Sequence, residues 1–233
     1  LGNGVDPRDI IESHGADAMR FTLAQMATGS QDVRMPVDLV CPHTGDTFAP
    51  AFIQNAAGYT VAAPIQKSPG RSGAEMVSAY GVAVGEVEPD DERPLARNTS
   101  SRFDLGRNFC NKLWNASRFS ILNLEGYSPG KVSEEDLRLE DRWILSRLSN
   151  LTEQVTTLLE KYGYADATRL LYDFSWDEFC SFYVEILKDR FASPESRPTA
   201  QRILAHVLDQ LLRLWHPVIP FITEEIWQKL NEV

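Results

Sequence analysis

The chain has 233 residues, of which 43% are hydrophobic, and its formal net charge at pH 7 is -10. This length is sufficient for a buried core and allows one large domain or two small ones. No apolar run is long enough to cross a bilayer, no signal-peptide pattern is present, and the acidic charge argues against a general nucleic-acid binder, because phosphate contacts need Lys and Arg.

The cysteines and histidines do not form a recognisable site. Cys41, Cys110 and Cys180 are far apart and odd in number, which predicts a reducing, cytoplasmic setting without structural disulfides. Cys41-Pro42-His43 lacks the paired motifs of a zinc site and is predicted to be a turn. No catalytic triad or metal constellation is present in the sequence, so we predict no catalytic and no metal residues.

The first 34 residues predict two helices. Asp6 before Pro7 is a good helix start, with Asp6 as N-cap and Pro7 in the first turn. This short helix should end near His14-Gly15. A second helix should run from about Ala16 to Ala27 and end at Gly29 and Ser30.

Residues 35–100 differ in character, because Pro and Gly are frequent and the helical period disappears. Val37 to Val40, Tyr59 to Ala62 and Val82 to Val87 are β-prone. Ser68 to Gly73 lacks the Gly-Lys-Ser/Thr ending of a phosphate loop and is predicted to be an ordinary loop. The polar run from Glu86 to Ser101 is predicted to be a linker. We therefore predict a small β-rich or irregular insert.

The stretch from Ser101 to Glu125 predicts a long helix that ends before Gly126. Its inward positions should be Leu105, Phe109, Leu113, Ala116, Phe119 or Ser120, and Leu124. Its other face is a polar stripe of residues three or four apart, namely Asn108, Asn111, Asn115 and Arg118. Amides suit the reading of base edges, but spacing alone favours asparagines that cap neighbouring helices or bond side chains within the bundle.

This helix is also a basic patch in an acidic chain. Arg102, Arg107, Lys112 and Arg118 are opposed by Asp104 alone. A net charge averages over all faces, so a local basic surface is compatible with an overall acidic protein.

The rest of the chain predicts further helices. They cover 139–162, 164 to about 190 with a restart at Ser175 or Asp177, a segment that ends at His216-Pro217, and one that starts near Pro220. The fold class is therefore mainly α, a bundle of about five long helices after residue 100. Asp177 and Glu178 diverge by about 100 degrees on a helix, which favours solvated first-turn acids over a catalytic pair. A binding module, a scaffold domain and a fragment of an enzyme all remain open.

Several segments, in the same order, resemble class I aminoacyl-tRNA synthetases. The block from Arg107 to Phe119 (RNFCNKLWNASRF) is similar to the opening helix of the anticodon-binding domain of the valyl enzymes, whereas isoleucyl and leucyl enzymes share only the architecture. The other matching segments are Leu1-Gly2-Asn3 with Val5-Asp6-Pro7, Gly15 to Phe21, Gln31 to Arg34, Trp176 to Cys180, His216-Pro217, and Pro220 to Trp227. The KMSKS signature that precedes this region in the family is missing, and residues 35–100 depart from the family pattern.

The resemblance implies a function. The parent enzyme would join valine to its tRNA with ATP and Mg in a catalytic domain, and this part would be inactive, without a cofactor. Residues 1–34 would contact the tRNA stem region, 35–100 would be an insert, and 101–233 would bind the anticodon arm. The implied tRNA contacts are Asn108, Asn111, Asn115 and Arg118 for bases or ribose and Arg107 and Lys112 for phosphates. Trp114 and Phe119 are candidates for stacking, although core positions are the more frequent role of such residues.

The resemblance implies partners as well: a valine-accepting tRNA and the catalytic domain of the same chain, with no membrane and no DNA. The competing hypothesis is a structural module of an isoleucyl- or leucyl-type synthetase that braces the catalytic domain without reading bases. A basic strip along the face from Arg107 to Arg118 favours tRNA binding, and an apolar patch there favours bracing.

Overall fold

The computed structural model describes residues 4–29 and 35–233. They form two compact units, one of residues 4–15 with 35–104 and the other of residues 16–29 with 105–233. The segments 1–3 and 31–34, which contribute to the family resemblance, and residue 30, predicted to end a helix, lie outside the described residues. The three-part division at 34/35 and 100/101 stays a prediction.

The first unit combines two helices with short strands. Its helix α1 begins as predicted, because the Asp6 carboxylate accepts a 2.8 Å hydrogen bond from the Arg8 backbone N–H and Pro7 occupies the first turn. The elements are α1 (Pro7–His14), β1 (Asp38–Val40), β2 (Thr47–Phe48), β3 (Phe52–Gln54), β4 (Thr60–Ala62), β5 (Ile65–Lys67), β6 (Glu75–Ser78), α3 (Ala79–Ala83) and β7 (Leu95–Thr99).

The strands form one sheet and one separate hairpin. The sheet has the order β2-β1-β7-β6-β5, in which β6 and β7 are parallel and the other neighbours antiparallel. Strands β3 and β4 pair only with each other. A small core of Leu39, Cys41, Met76 and Ala96 is buried on the sheet. The β-prone runs at Val37–Val40 and Tyr59–Ala62 are thus confirmed as β1 and β4.

Two predictions for this unit are wrong. The run from Val82 to Val87 is not a strand, because the Ser78 side chain accepts a 3.2 Å hydrogen bond from the Gly81 N–H and starts the helix α3 just before it. The supposed linker from Glu86 to Ser101 contains β7, which lies between β1 and β6. The prediction of a linker rested on the polar residues of this run, but a polar residue can be buried in a strand. Asn98 is buried and donates a 2.7 Å hydrogen bond to the Gly4 carbonyl.

The second unit is helical, which confirms the mainly α class. The α5 range, the end of α8 and the start of α9 agree with the sequence prediction, and Gly126 adopts the left-handed φ of 75° in the turn that follows α4. The elements are α2 (Ala16–Met26), α4 (Arg102–Asn123), α5 (Leu139–Glu160), α6 (Tyr164–Asp173), a π-helical segment (Phe174–Tyr183), α7 (Val184–Phe191), α8 (Arg197–Trp215) and α9 (Pro220–Asn231).

Aromatic side chains from four helices meet at the centre of this unit. Phe109 of α4 lies 5.2 Å from Phe21 of α2, 5.4 Å from Tyr172 of α6 and 4.7 Å from Trp215 of α8, measured between ring centroids. Phe21, Phe109 and Trp215 are fully buried. Such aromatic contacts dominate core energetics, because each ring buries a large apolar area.

Helices α2 and α4 approach each other closely at Gly106. A Cβ atom at this position would lie 2.6 Å from the Ala18 carbonyl oxygen and 3.0 Å from the Ala18 Cα. Both neighbours are backbone atoms, which cannot move without displacing α2. Glycine at 106 therefore sets the distance between the two helices.

This contact gives a first prediction. A Gly→Ala change inside a helix normally stabilises by about 1 kcal/mol, but we expect Gly106→Ala to lower the free energy of unfolding by about 1–3 kcal/mol, because the methyl group overpacks the contact. Urea unfolding followed by circular dichroism measures the difference. Gly4→Ala, which meets no atom within 4 Å, is the control. A stabilised Gly106→Ala variant would contradict the close approach.

The helix predicted to restart at Ser175 or Asp177 instead continues without a break and widens into the π-helical segment. Ser175 does not cap anything there: its Oγ donates a 2.6 Å hydrogen bond to the Leu171 carbonyl and accepts a 2.8 Å bond from Trp215 Nε1. Ser175 and Trp215 are both fully buried. A long π-helical run is unusual and often marks a functional region.

We expect Ser175→Ala to destabilise the chain by about 1–3 kcal/mol, because it leaves the buried Trp215 N–H without an acceptor. Ser181→Ala is the matched control, since Ser181 lies in the same segment but is exposed, and it should change the free energy of unfolding by less than about 0.5 kcal/mol. Chemical unfolding of both variants tests this. Equal effects of the two changes would show that the Ser175–Trp215 bond does not contribute.

Candidate nucleic-acid interface

Helix α4 has one buried and one exposed face. The buried face includes Phe109, Leu113 and Ser120, as predicted, together with Ser117, and Leu124 is buried directly after the last residue of the helix. Leu105, predicted to point inward, is instead 39% exposed, because Gly106 takes the contact with α2. Ala116 and Phe119 are half-buried.

The polar stripe lies on the exposed face. Asn108, Asn111, Asn115 and Arg118 are all exposed, and residues three or four apart on a helix are neighbours on its surface. Within residues 4–29 and 35–233, the amide groups of the three asparagines form no hydrogen bond with the protein. The interpretation that these asparagines cap helices or bond side chains in the bundle is therefore wrong, and their donors and acceptors face solvent.

Basic side chains accompany the amides. Arg102, Arg107 and Arg118 are exposed, Lys112 is half-buried, and Asp104 is the one acidic residue of α4. Asp104 lies 3.4 Å from His14 Nε2. The exposed apolar residues on α4 are limited to Leu105 and Leu122, so this face is a basic polar strip with little apolar surface. We call it the amide strip: Asn108, Asn111, Asn115 and Arg118, with Arg107 and Lys112 beside them.

The aromatic candidates on α4 occupy the edge of the core. Trp114 and Phe119 are both half-buried and pack against the main hydrophobic core. The Phe119 ring also lies 5.6 Å from the ammonium group of Lys188 on α7. Both residues contribute to packing, and neither presents a fully exposed ring.

Trp176 lies beside this surface, although no sequence pattern predicts it there. Its half-buried indole lies beside α4, with the Lys112 ammonium 5.4 Å from the ring centroid. No periodicity of one helix predicts a contact between residues 64 positions apart (112 and 176).

The two acids of the π-helical segment, Asp177 and Glu178, lie in different environments. Glu178 accepts two hydrogen bonds from the guanidinium of Arg147 on α5, at 2.8 and 2.5 Å. This carboxylate raises the pKa of Arg147 through the hydrogen bonds and its charge. Asp177 is exposed. Glu178 therefore joins α5 to the π-helical segment.

The cysteines and the Cys41-Pro42-His43 segment contribute to packing and turns in the described part of the chain. Cys41-Pro42-His43 begins a turn, as predicted, with Cys41 Sγ 3.3 Å from Ser68 Oγ and His43 Nε2 2.9 Å from the Glu75 carbonyl. Burial raises the pKa of Cys110 and of Cys180 to about 12, so neither is a reactive thiol at neutral pH. Across residues 4–29 and 35–233, no cluster of three or more His, Cys, Asp or Glu side chains could hold a metal ion.

A solvent-facing row of amides flanked by guanidinium and ammonium groups suits a polynucleotide. The amides offer donors and acceptors for base edges, and the cations suit phosphates. Among the described helices, none is long and apolar enough to cross a membrane.

Comparison with known proteins finds similar sequences and a similar fold. The family described as "Anticodon-binding domain of tRNA ligase" matches residues 141–233. Valine--tRNA ligase from Rhodopirellula baltica is 46% identical over 232 residues, covering 100% of this chain and 21% of that protein. The enzymes from Carboxydothermus hydrogenoformans and Thermotoga maritima are 37% and 35% identical, covering 99% of this chain and 19% of each relative.

The fold also matches a solved structure. AgnB2 LeuRS from Agrobacterium radiobacter K84, solved in a ternary complex with tRNA and LeuAMS, aligns with a TM-score of 0.54 at 17% identity and covers 99% of this chain and 20% of that one. The chain spans about one fifth of the length of the curated relatives it matches. The chain is similar over its whole length to valine–tRNA ligases, and its residues 141–233 match the anticodon-binding domain family of tRNA ligases.

Proposed function

We propose that this chain is the part of a valine–tRNA ligase that binds the anticodon arm of a valine-accepting tRNA, and that α4 contacts the anticodon. The observation that carries the proposal is the amide strip. Three exposed asparagines without protein partners among the described residues lie between basic side chains on one helix face. A module that only braces the catalytic domain would present an apolar patch for contact with that domain and would not need exposed amides.

The chemistry of the strip suits an unpaired loop. Bases in a tRNA loop can be splayed out and read on their exposed edges. Asn108, Asn111 and Asn115 supply amides that donate and accept, and Arg118 supplies a planar guanidinium for hydrogen bonding or stacking. Arg107 and Lys112 are placed for phosphates. The acidic side chains that give the net charge of -10 then occupy faces away from the RNA.

The aminoacylation reaction would take place in another part of a longer polypeptide. We propose that ATP and Mg bind in a catalytic domain of the same polypeptide, that residues 1–34 contact the tRNA stem region, and that the protein works in the cytoplasm. The three cysteines are unpaired, which agrees with a reducing compartment. The anticodon contacts would position the tRNA so that its acceptor end reaches the distant site of chemistry.

The first test is a salt-dependent binding titration. We expect the chain to bind tRNA with a valine anticodon more tightly than a tRNA altered only in the anticodon. Asn111→Ala and Arg118→Ala should each remove about 1–3 kcal/mol of this discrimination, because they delete base contacts. Asn150→Ala and Arg169→Ala, exposed residues on α5 and α6, are the matched controls and should leave it unchanged.

The same titration distinguishes anticodon binding from the alternative, a module that only braces the catalytic domain. Equal and weak binding of both tRNAs, unaffected by Asn111→Ala and Arg118→Ala, would show that α4 does not read the anticodon. The bundle would then be a brace for the catalytic domain.

A second test addresses catalysis. We expect the 233-residue chain to give no valine-dependent exchange of pyrophosphate into ATP and no charging of tRNA, because it spans about one fifth of the length of the valine–tRNA ligases it matches and its described residues hold no cluster that could bind a metal ion. The assay is run with full-length valine–tRNA ligase as the positive control. Exchange above the enzyme-free blank would contradict the proposal.

A further inference from the structure

Lys112 is held by an aromatic stack on the neighbouring helix. Its Nζ lies 5.4 Å from the centroid of the Trp176 ring, within the distance at which a cation is attracted to an aromatic face. The Trp176 ring in turn stacks on Tyr172, with centroids 5.6 Å apart and planes inclined by 19°. The ammonium group therefore lies over one end of an aromatic stack.

The stack is connected to the centre of the helical unit. Tyr172 lies 5.4 Å from Phe109 and 6.0 Å from Phe21. The residue before Trp176, Ser175, is fixed by its hydrogen bonds to Leu171 and Trp215. The position of the Trp176 ring is consequently determined from both sides by buried groups.

Lys112 differs from the other lysine that contacts an aromatic ring beside α4. Lys188, over Phe119, also forms a 2.6 Å ion pair with Glu185, so its charge is already compensated. Lys112 forms no ion pair with any carboxylate of the described residues. Its charge is held in place yet is still available for an anion.

The charge of Lys112 lies next to the asparagines of the amide strip. Lys112 follows Asn111 directly and lies four residues after Asn108 and three before Asn115 on the same helix. A lysine side chain is flexible, and ordering it on binding has an entropic cost. Holding the ammonium group beforehand reduces this cost.

We propose that Trp176 is a positioning residue, which holds the ammonium group of Lys112 for contact with a phosphate of the anticodon arm beside the amide strip. This inference rests on the proposed function and adds to it a residue outside α4. Trp176 acts through Lys112 and does not itself contact the RNA, because Tyr172 stacks on its ring and Lys112 lies over it.

The test is a double-mutant cycle in tRNA binding. The 233-residue chain, Lys112→Ala, Trp176→Leu and the double variant are titrated with valine-anticodon tRNA at several salt concentrations. Lys112→Ala should lower the salt slope by about 0.7–0.9, the loss of one phosphate contact. Trp176→Leu should weaken binding about two- to fivefold, as expected for one cation–π contact, and should have no effect once Lys112 is Ala.

Two further variants make the result specific. Trp176→Phe keeps an aromatic face and should retain the salt slope of the unmodified chain, whereas Lys161→Ala removes an exposed lysine from the end of α5 and should not couple to Trp176. Thermal unfolding shows whether each variant folds. The Lys112 side-chain methylene protons should have ring-current shifts in the NMR spectrum that disappear in Trp176→Leu.

Each outcome decides between the inferences. Independent effects of Lys112→Ala and Trp176→Leu, or unshifted Lys112 methylene protons in the folded chain, would overturn the role of Trp176. If Trp176 has no such role but the chain still prefers the valine anticodon and loses that preference in Asn111→Ala, the proposed function holds and only the inference about Trp176 fails. Binding that shows no preference for either tRNA and no response to any variant would overturn both.

Discussion

The helical unit depends on the contact among Phe21, Phe109, Tyr172 and Trp215. These rings come from α2, α4, α6 and α8, so one cluster fixes four helices that are far apart in the chain. Burying rings of this size supplies much of the apolar free energy of the unit. Because Gly106 brings α2 against α4 at the same level, the buried face of α4 is defined, and its opposite face is left for solvent.

The proposed functional surface follows from this division of α4. Once Phe109, Leu113 and Leu124 are buried, the helical period places Asn108, Asn111, Asn115 and Arg118 outside. Asparagine has a low helix propensity, so three of them on one face weaken the helix locally. The packed opposite face compensates for this weakness. The amides are therefore presented on a rigid element, which a recognition surface requires.

A buried polar contact joins α5 to α7 near the C-terminal end of the π-helical segment. Arg190 of α7 donates a 2.6 Å hydrogen bond to the buried carboxylate of Asp141 on α5, and the Tyr183 hydroxyl donates to the same carboxylate at 3.2 Å. Burial and this negative charge raise the pKa of Tyr183, so the hydroxyl keeps its proton. Removing either partner of this buried ion pair would leave an uncompensated charge in the core, which is strongly destabilising. Tyr183 is the last residue of the π-helical segment, so this contact holds the end of the segment, whereas Arg147–Glu178 holds its middle.

Caps and local spacing are sufficient to predict the mainly α class, the starts of α1 and α9, and the amphipathic period of α4 and α5. The sequence also identified the amide strip as a stripe, although not its exposure. The tertiary structure decided what depended on distant residues. β7 is a strand because β1 and β6 pair with it, and Leu105 is exposed because Gly106 occupies the contact with α2. Lys112 meets Trp176 because the helices carrying them pack side by side, a contact that no local pattern encodes.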